Sequence, residues 1–385
     1  MPVSRFIPFA LPEIGEEEIS EVIDTLRSGW ITTGPKVRQF ESNFRDFIGT
    51  GVEAIAVNSA TAGLHLALEA LGVGLGDEVI VPSLTFTATA EVVRYLGANV
   101  KIVDINPNTL NIDINSIRNA ISVKTKVIMP VHYAGLSCDM DAIFTLAKEF
   151  DLKVVEDAAH ALPTTHKGSI VGSLKSDITV FSFYANKTMT TGEGGMVVTR
   201  HSDLAKRMKI MRLHGIDRDA FDRFQSKKPA WYYEVVAPGF KYNMTHIAAA
   251  IGIHQLKRLP KFLVRRQALA ERYFEALAEL PLVLPADDVS GGSHSWHLFV
   301  IRLQGNAKMS RDELIELLSD KGIGTSVHYV PLHRQPYWRD MYSLTNDHFV
   351  EADKAYLSMI SIPLYTSMTN DQQEYIIQVL QGALG

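Results

Sequence analysis

The chain has 385 residues, a formal net charge of −5 and a hydrophobic share of 46%. This length allows two domains with a large core, and the negative net charge without a basic block argues against nucleic acid as the main partner. A single cysteine, Cys138, excludes an intrachain disulfide and a cysteine-cluster metal site, so we expect a reducing cytoplasm and no bound metal. No apolar run reaches the ~20 residues of a membrane-spanning helix, and we expect no membrane association.

The first part of the chain is predicted to contain helices around one short strand. Apolar residues at positions 19, 22, 23 and 26 indicate a helix, and residues 36–48 indicate a second one. Strand 53–57 is followed by small and hydroxyl residues at 58–63, which begin the helix 64–71. Backbone N–H groups at this helix start could bind an anion, with help from Ser59 and Thr61, but the same residues could also cap the helix without any ligand.

From residue 77 onward, strands and helices alternate. Apolar runs predict strands at 79–82, 100–103, 125–131 and 154–156, and amphipathic patterns predict helices at 87–96, 114–120 and 139–149. Such alternation is typical of an α/β fold in which a mostly parallel sheet is covered by helices on both faces.

A polar segment with one lysine follows the next strand. Strand 178–183 leads to Lys187, and a glycine cluster at 192–195 turns the chain into strand 196–199. Asp157 ends an earlier apolar run, and open α/β sheets bind ligands at the carboxyl ends of their strands. Lys187 could be a solvated surface charge or a partly desolvated amine that forms a Schiff base. A lysine nucleophile and a strand-end acid are what a pyridoxal phosphate (PLP) enzyme needs, because the lysine holds the cofactor and the acid keeps its pyridine nitrogen protonated.

The remainder of the chain is predicted to form a smaller α+β domain. A helix at 204–212 precedes a long aromatic and polar stretch at 218–242, and helices are predicted at 244–259 and 260–280. A strand at 296–303, a helix at 311–321, a β run at 325–330 and closing helices follow. We therefore expect a large PLP-binding domain at residues 1–260 and a small domain at 261–385.

Five motifs spread over nearly the whole chain resemble those of the DegT/StrS-type PLP-dependent nucleotide-sugar aminotransferases, which have the aspartate aminotransferase fold (fold type I). They are Ser28-Gly-Trp-Ile-Thr-Thr-Gly-Pro, Val81-Pro-Ser-Leu-Thr-Phe-Thr-Ala-Thr, Glu156-Asp-Ala-Ala-His-Ala, Lys187 with Gly192-Glu-Gly-Gly, and Gly239-Phe-Lys-Tyr-Asn-Met-Thr. Each motif is modest, but their occurrence together in this order is specific. The resemblance implies a PLP transferase fold and a homodimer.

The resemblance also implies roles for individual residues. Lys187 would hold the cofactor and carry a proton between the amino carbon and the cofactor carbon, while Asp157 would stay charged beside the pyridine nitrogen. Phe86 would stack on the cofactor face, although a phenylalanine in the core is the commoner case. The other matching positions are Ala60, Thr61 and Ser182 for the phosphate, His160 near the cofactor ring or hydroxyl, and Asn243, which would reach the partner's cofactor in shared active sites.

By the same resemblance, the substrate is a nucleotide-linked 3- or 4-keto sugar, with L-glutamate as amino donor and 2-oxoglutarate as its product. Three segments match those that shape the sugar and nucleotide site: the loop with Trp30 and Thr33, the stretch 218–242, and 326–333 with His328 and Tyr329. The run 214–223 is most similar to the branch that aminates C4 of UDP-linked sugars. The sequence does not fix the sugar, the base or the aminated carbon.

Two other functions stay open from the sequence. One is a PLP- or PMP-dependent nucleotide-sugar dehydratase of the same fold, but that branch carries histidine where this chain has Lys187, which favours transamination. The other is a non-enzymatic sensor that kept the fold. One departure from the family pattern is His246, at a position where the family often has an acid.

Overall fold

The computed structural model describes residues 6–217, 231–287 and 291–385. Nine described strands belong to the first 200 residues: β1 Glu53–Val57, β2 Glu78–Pro82, β3 Asn99–Val103, β4 Thr125–Ile128, β5 Lys153–Asp157, β6 Thr165–His166, β7 Ser169–Ile170, β8 Ile178–Ser182 and β9 Gly195–Thr199. Seven of them form one sheet in the order β1-β9-β8-β5-β4-β2-β3. Strands β8, β5, β4, β2 and β3 pair in parallel, and β9 runs antiparallel to both β8 and β1.

Helices cover both faces of this sheet. They are α2 Pro35–Ile48, α3 Ala60–Ala70, α4 Ala88–Tyr95, α5 Ile114–Ala120, α6 Met140–Glu149 and α7 Ser202–Met211, whereas α1 Glu16–Ser28 packs against the long helix at 246–277. Successive strand residues point to opposite faces, so Ile55 and Val57 pack with α3, α4 and α7, whereas Ala54 and Ala56 pack with α2. Helices α5 and α6 cover the same face as α2 farther along the sheet. The predicted α/β fold with a mostly parallel, doubly covered sheet is confirmed.

The next helix, α8 His246–Leu277, connects two hydrophobic clusters. Its first half contributes Ile253 to the core beneath the large sheet, and its second half contributes Leu269 and Tyr273 to a separate core. The prediction of two helices divided at Pro260 was wrong, because α8 is continuous with Pro260 inside it. Proline disfavours a helix interior by removing one hydrogen bond, but packing of both halves outweighs that local cost.

The C-terminal part is built on a small antiparallel sheet. Its strands are β10 Leu282–Val283, β11 Phe299–Leu303 and β12 Met359–Ile362, in that order, and its helices are α9 Arg311–Asp320, α10 Pro336–Tyr342, α11 Val350–Ser358 and α12 Asn370–Leu384. The aromatic rings of Tyr273 and Phe299 lie 5.0 Å apart in its core. A division into domains near residue 260 stays a prediction. None of the described helices combines the length and the hydrophobicity that crossing a membrane requires.

Two predicted strands differ from the structure in this part. Strand β11 begins at Phe299 rather than at Trp296, because Trp296 adopts a left-handed backbone conformation with φ of 51° that a strand does not allow. The β run predicted at 325–330 forms only an isolated bridge from Ser326 to Ser361. After this bridge the chain leaves the small sheet, and the carbonyl of His328 accepts a hydrogen bond from the Tyr133 hydroxyl beside the large sheet.

Candidate active site

Lys187 lies in a turn just beyond the carboxyl end of β8, where its amide donates to the carbonyl of Tyr184 at 3.0 Å. Its side chain lines a cavity of about 430 Å³ at the carboxyl edge of the large sheet. Burial lowers the pKa of Lys187 to about 8, and the charge of Asp157 only partly opposes this shift. The cavity brings together most of the predicted site residues, namely Ala60, Thr61, Phe86, Asp157, His160, Ser182, Lys187, His328 and Tyr329.

The glycine cluster after Lys187 allows the start of α3 to lie against the β8–β9 pair. Ser182, the last residue of β8, is opposite Gly195, the first residue of β9. A Cβ atom on Gly195 would come within 2.8 Å of the Phe181 carbonyl oxygen and 2.9 Å of the Ala60 nitrogen. Only glycine fits there without a backbone shift. The absence of a side chain at Gly195 therefore lets the start of α3 lie close to the first residue of β9.

The start of α3 lines one end of the cavity with groups that could bind an anion. Ser59 is the N-cap, and its hydroxyl accepts the N–H of Ala62 at 3.1 Å. The first amides of a helix have no intrahelical acceptor and lie at its positive end. Ala60 and Thr61, the first two residues of α3, line the cavity together with Ser182. The sequence left open a helix cap or an anion site, and the structure has the cap while leaving amides for a phosphate.

Asp157 is the last residue of β5, and both of its oxygens accept hydrogen bonds. Thr89 donates its hydroxyl to Oδ2 at 2.8 Å, and the N–H of Ala159 reaches Oδ1 at 3.1 Å. Because the Thr89 proton is used in this way, the hydroxyl of Thr85, 2.7 Å from that of Thr89, is the donor in their contact. Burial raises the pKa of Asp157, and the two donors and the charge of Lys187 oppose that rise.

Aromatic side chains and His160 form the other wall of the cavity. His160 contacts the backbone N–H of Ala134 through Nδ1 at 3.2 Å and the Tyr329 hydroxyl through Nε2 at 2.8 Å. The ring of Phe86 is half exposed and lies 5.8 Å from that of Tyr329. Burial, together with the nearby charge of Lys187, holds the pKa of His160 well below its ordinary value, so its imidazole is neutral.

Three predicted site residues lie outside this cavity in the same chain. Asn243 donates its side-chain amide to the Thr33 hydroxyl at 2.6 Å, and the Trp30 indole donates to the Thr33 carbonyl at 2.9 Å. Thr33 and Asn243 line a second cavity of about 510 Å³. The sequence predicted that Asn243 serves a partner's site, and that prediction is not tested by a single chain.

His246, the departure from the family pattern, connects the loop that contains Trp30 and Thr33 to the helix that follows Asn243. Its Nε2 accepts the N–H of Lys36 at 3.0 Å, so Nδ1 carries the proton and donates to the Trp30 carbonyl at 2.7 Å. The imidazole thus joins the loop at 28–35 to the start of α8. Two segments that the sequence analysis assigned to the substrate are only partly described. Residues 218–230 of the stretch 218–242, and residues 218–223 of the run 214–223, lie outside the described residues.

Several cavity residues were missed by the sequence reasoning. Thr89 belongs to a quoted motif but had no assigned role; the available signal was the pair of threonines, Thr85 and Thr89, four positions apart in that motif. Asn186 and Glu193 also line the cavity. The buried Oδ1 atom of Asn186 has no hydrogen-bond partner within the described part of the chain. No local pattern distinguishes Asn186 from an ordinary loop residue.

The residues present fit PLP. Lys187 supplies an amine with a lowered pKa, and Asp157 is a carboxylate with its two neighbouring donors in place. The start of α3 supplies amides for a phosphate, with space that a Cβ at Gly195 would fill. Phe86 supplies an exposed aromatic face. These are the groups that PLP enzymes use to bind and tune the cofactor.

Comparison with known proteins agrees with this chemistry. The model of the DegT/DnrJ/EryC1/StrS aminotransferase family matches residues 12–381. The chain is 45% identical over 380 residues to the spore coat polysaccharide biosynthesis protein SpsC of Bacillus subtilis, covering 98% of this chain and 97% of SpsC. Among solved structures it is similar to the PMP form of Spr1654 from Streptococcus pneumoniae, assigned as a sugar aminotransferase, with a TM-score of 0.91, 36% identity and 98% of both chains covered.

A PLP form of Spr1654 also matches, with a TM-score of 0.90, 36% identity, and coverage of 99% of this chain and 100% of that one. Helicobacter pylori PseC, an aminotransferase of pseudoaminic acid biosynthesis, matches with a TM-score of 0.90 at 27% identity over 99% of both chains. The family match covers nearly the whole chain, as the sequence motifs predicted. The chain therefore belongs to the DegT/DnrJ/EryC1/StrS family of PLP-dependent sugar aminotransferases.

Proposed function

We propose that this enzyme transfers the amino group of L-glutamate to a nucleotide-linked keto sugar, with a UDP-linked 4-keto sugar as the preferred acceptor. The observation that carries the proposal is the meeting of Lys187, Asp157 and the start of α3 in one cavity. Its relatives support a sugar substrate, because SpsC belongs to spore coat polysaccharide biosynthesis and PseC to pseudoaminic acid biosynthesis.

In this proposal Lys187 both holds the cofactor and moves the proton. Bound PLP supplies an electron sink that lets the carbon bearing the amino group lose its proton. The amine of Lys187, with its pKa lowered to about 8, is partly neutral near neutral pH and can accept a proton there. A general base works best when its pKa lies near the operating pH. Nζ of Lys187 is therefore the atom that carries the proton from one carbon to the other.

The other cavity residues bind and orient. Asp157 stays ionised beside a protonated pyridine nitrogen, because a neighbouring cation favours the charged carboxylate. The amides of Ala60 and Thr61 and the hydroxyl of Ser182 hold the phosphate. Phe86 covers one face of the ring. Each of these assignments combines the resemblance of the motifs with the position of the residue in the cavity.

We further propose a cytoplasmic homodimer with shared active sites. Asn243, Thr33 and Trp30 form their own cluster away from Lys187 of the same chain. In a dimer such a cluster can complete the partner's cavity, as the family resemblance implies for Asn243. The free thiol of Cys138 is buried, which suits a reducing compartment.

A dehydratase is the competing chemistry, and Lys187 argues against it. The two reactions differ in their products, because transamination adds nitrogen to the sugar, whereas dehydration removes water and adds none. The mass of the product therefore separates the two. The preference for a UDP-linked 4-keto sugar depends on the run 214–223. The nucleotide and the carbon that is aminated must therefore be tested directly.

The first experiment is the visible absorption spectrum of the purified protein before and after addition of L-glutamate. We expect a yellow band that bleaches with glutamate and is lost in Lys187→Ala, even after reconstitution with PLP. Next, UDP- and dTDP-linked keto sugars with the carbonyl at C3 or C4 are added to the bleached enzyme, and the products are weighed by mass spectrometry. A protein that binds no PLP, or whose band is unaffected by glutamate, would contradict the proposal.

A further inference from the structure

A buried ion pair holds the outer side of β1 just before α3 begins. β1 is the edge strand of the large sheet and pairs with β9 on one side. On its other side, the N–H of Ala56 donates to Oε1 of Glu41 at 2.9 Å, and the carbonyl of Ala56 accepts from Nη1 of Arg212 at 2.8 Å. The same two atoms, Nη1 and Oε1, lie 2.5 Å apart. In an antiparallel pair every second residue turns its N–H and C=O away from the partner strand, and at Ala56 the ion pair takes the place of a further strand.

The ion pair reaches around the edge of the sheet. Glu41 belongs to α2, on the face of the sheet where Ala56 packs, whereas Arg212 follows α7 on the opposite face. The Glu41 and Arg212 side chains are 14% and 8% exposed. Withdrawing two charges from water costs free energy that their attraction often fails to offset, so stability alone does not explain a buried ion pair. Its place beside the cofactor site offers a more specific role.

The residue that the ion pair holds lies directly before the start of α3. Ala56 is three positions before Ser59, the N-cap of α3, and the N–H of Asn58 donates to the carbonyl of Tyr242 at 2.8 Å. The chain between β1 and α3 is thus held on its outer side at two points. On its inner side, the missing side chain of Gly195 lets the start of α3 lie close to β9. Movement of this start away from β9 is therefore opposed by the ion pair and by the Tyr242 carbonyl.

We propose that Glu41 and Arg212 are positioning residues for the phosphate of PLP. The inference deepens the proposed function and rests on it, because that function assigns the phosphate to the first amides of α3. Neither side chain is among the described residues that line the Lys187 cavity, so both act through the backbone of Ala56. Hydrogen bonds weaken steeply when their distance or angle is wrong. A small shift of Ala56 would therefore reduce the affinity for the phosphate.

The test compares PLP with pyridoxal, which lacks the phosphate, on protein freed of its cofactor. Lys187 can react with both aldehydes, and the yellow band then gives the Kd of each. The Kd of pyridoxal divided by that of PLP measures the contribution of the phosphate. The double variant Glu41→Leu/Arg212→Met removes both charges together and leaves neither buried alone. This ratio should fall about 10-fold or more, because the amides of α3 no longer meet the phosphate in good geometry.

A second ion pair provides a matched control. Lys209 and Glu53, with Nζ and Oε2 2.8 Å apart, join the same helix and strand, α7 and β1, at the end of β1 that lies away from α3. The double variant Glu53→Leu/Lys209→Met should keep the wild-type ratio. Glu41→Gln keeps an oxygen that can accept the Ala56 N–H, and its ratio should lie closer to that of the wild type than to that of the double variant at Glu41 and Arg212.

Phosphorus NMR of the bound cofactor gives an independent readout. The signal of PLP bound to the wild type should differ from that of free PLP, because the α3 amides donate to the phosphate. In the variant Glu41→Leu/Arg212→Met, the signal should move toward that of free PLP. A role limited to stability would lower the free energy of unfolding and leave both the signal and the Kd ratio unchanged, which would overturn the inference.

The outcomes separate this inference from the proposed function. If the wild type binds no PLP, the proposed function fails and this inference fails with it. If the wild type binds PLP and reacts with L-glutamate, but the double variant keeps the wild-type ratio or loses affinity for both aldehydes equally, only this inference is overturned. Circular dichroism checks folding. If the double variant does not fold, Arg212→Met decides, because it removes the donor to the Ala56 carbonyl; its ratio should also fall, and an unchanged ratio overturns the inference.

Discussion

The hydroxyl of Thr89 donates to Oδ2 of Asp157 at 2.8 Å, across a contact that joins the start of α4 to the end of β5. Asp157 is buried, and burial alone raises the pKa of its carboxyl group. Hydrogen bonds to a carboxylate favour its charged form. Thr89 therefore helps keep Asp157 ionised in a place where an isolated carboxylate would take up a proton.

Thr89→Val should weaken cofactor binding. Loss of the hydroxyl leaves Asp157 Oδ2 with one donor fewer, which raises the pKa of Asp157 and weakens its pairing with a protonated pyridine nitrogen. A hydrogen bond to a charged group contributes about 1.5–3 kcal/mol, so the dissociation constant for PLP should rise about 10- to 100-fold. Thr89→Ser keeps the hydroxyl and should resemble the wild type. Equal affinities of Thr89→Val and the wild type would contradict this role.

The pKa of Lys187 predicts how the rate of PLP attachment depends on pH. The neutral amine is the form that attacks a carbonyl, and burial lowers the pKa of Lys187 to about 8. The rate at which the yellow band forms on PLP-free protein should rise with pH and reach half its maximum near pH 8. An ordinary lysine would give a midpoint near 10.4. A midpoint above about 10 would show that Lys187 is not desolvated in solution.

Sequence reasoning located Lys187 and Asp157 because strand ends in a parallel sheet meet at one edge, and that rule depends only on local patterns. It assigned Thr89 no role because that role depends on a contact between residues 68 positions apart. It divided α8 at Pro260 because the proline signal is local, whereas the packing that keeps the helix continuous comes from two separate cores. The fold was therefore more predictable than the hydrogen bonds that adjust the site.

The position of Gly195 predicts a phosphate-specific defect in Gly195→Ala. The new Cβ would lie 2.8 Å from the Phe181 oxygen and 2.9 Å from the Ala60 nitrogen, so the start of α3 must move. Such overpacking costs about 1–3 kcal/mol of stability. Affinity for PLP should fall, while affinity for pyridoxal, which lacks the phosphate, should change little. In the matched control Gly74→Ala, the added Cβ has no atom within 4 Å. An equal loss for both ligands would argue against a phosphate role.

Buried histidines predict a loss of stability in acid. Burial and the charge of Lys187 lower the pKa of His328 to about 4, against an ordinary value of 6.5. At a pH between about 4 and 6.5, His328 is protonated in the unfolded chain but not in the folded chain. Protons therefore stabilise the unfolded chain, and the free energy of unfolding falls as the pH drops below about 6.5. Over about 1.5 pH units this contribution is about 2 kcal/mol.

The measurement is urea unfolding of the wild type and His328→Gln at about pH 7 and about pH 5. The variant lacks this titration, so its free energy of unfolding should fall by about 2 kcal/mol less than that of the wild type between the two conditions. The denaturant dependence should be the same for both proteins. Parallel losses in the two proteins would show that His328 titrates alike in the folded and unfolded states.

Shared active sites can be tested by mixing two inactive chains. Lys187→Ala lacks the amine in its own cavity, and Asn243→Ala lacks the amide that we assign to the partner's cavity. If sites are shared, a mixed dimer has one site with an intact Lys187 and an intact Asn243, and another site that lacks both. Random mixing makes half of the dimers mixed, so about a quarter of the wild-type activity should return.

The control is a mixture of Lys187→Ala with Asp157→Ala, two changes within one cavity. Both chains then carry a damaged cavity of their own, and no exchange of partners restores one. If Asn243 instead served its own chain, Asn243→Ala would behave like Asp157→Ala, and neither mixture would recover activity. The Asn243 amide donates to the Thr33 hydroxyl at 2.6 Å, so Thr33→Val should disturb the same site as Asn243→Ala. Activity that Thr33→Val loses should therefore be partly restored when it is mixed with Lys187→Ala. If Lys187→Ala recovers activity when mixed with Asn243→Ala and also when mixed with Thr33→Val, the Thr33–Asn243 pair belongs to the neighbouring subunit's site.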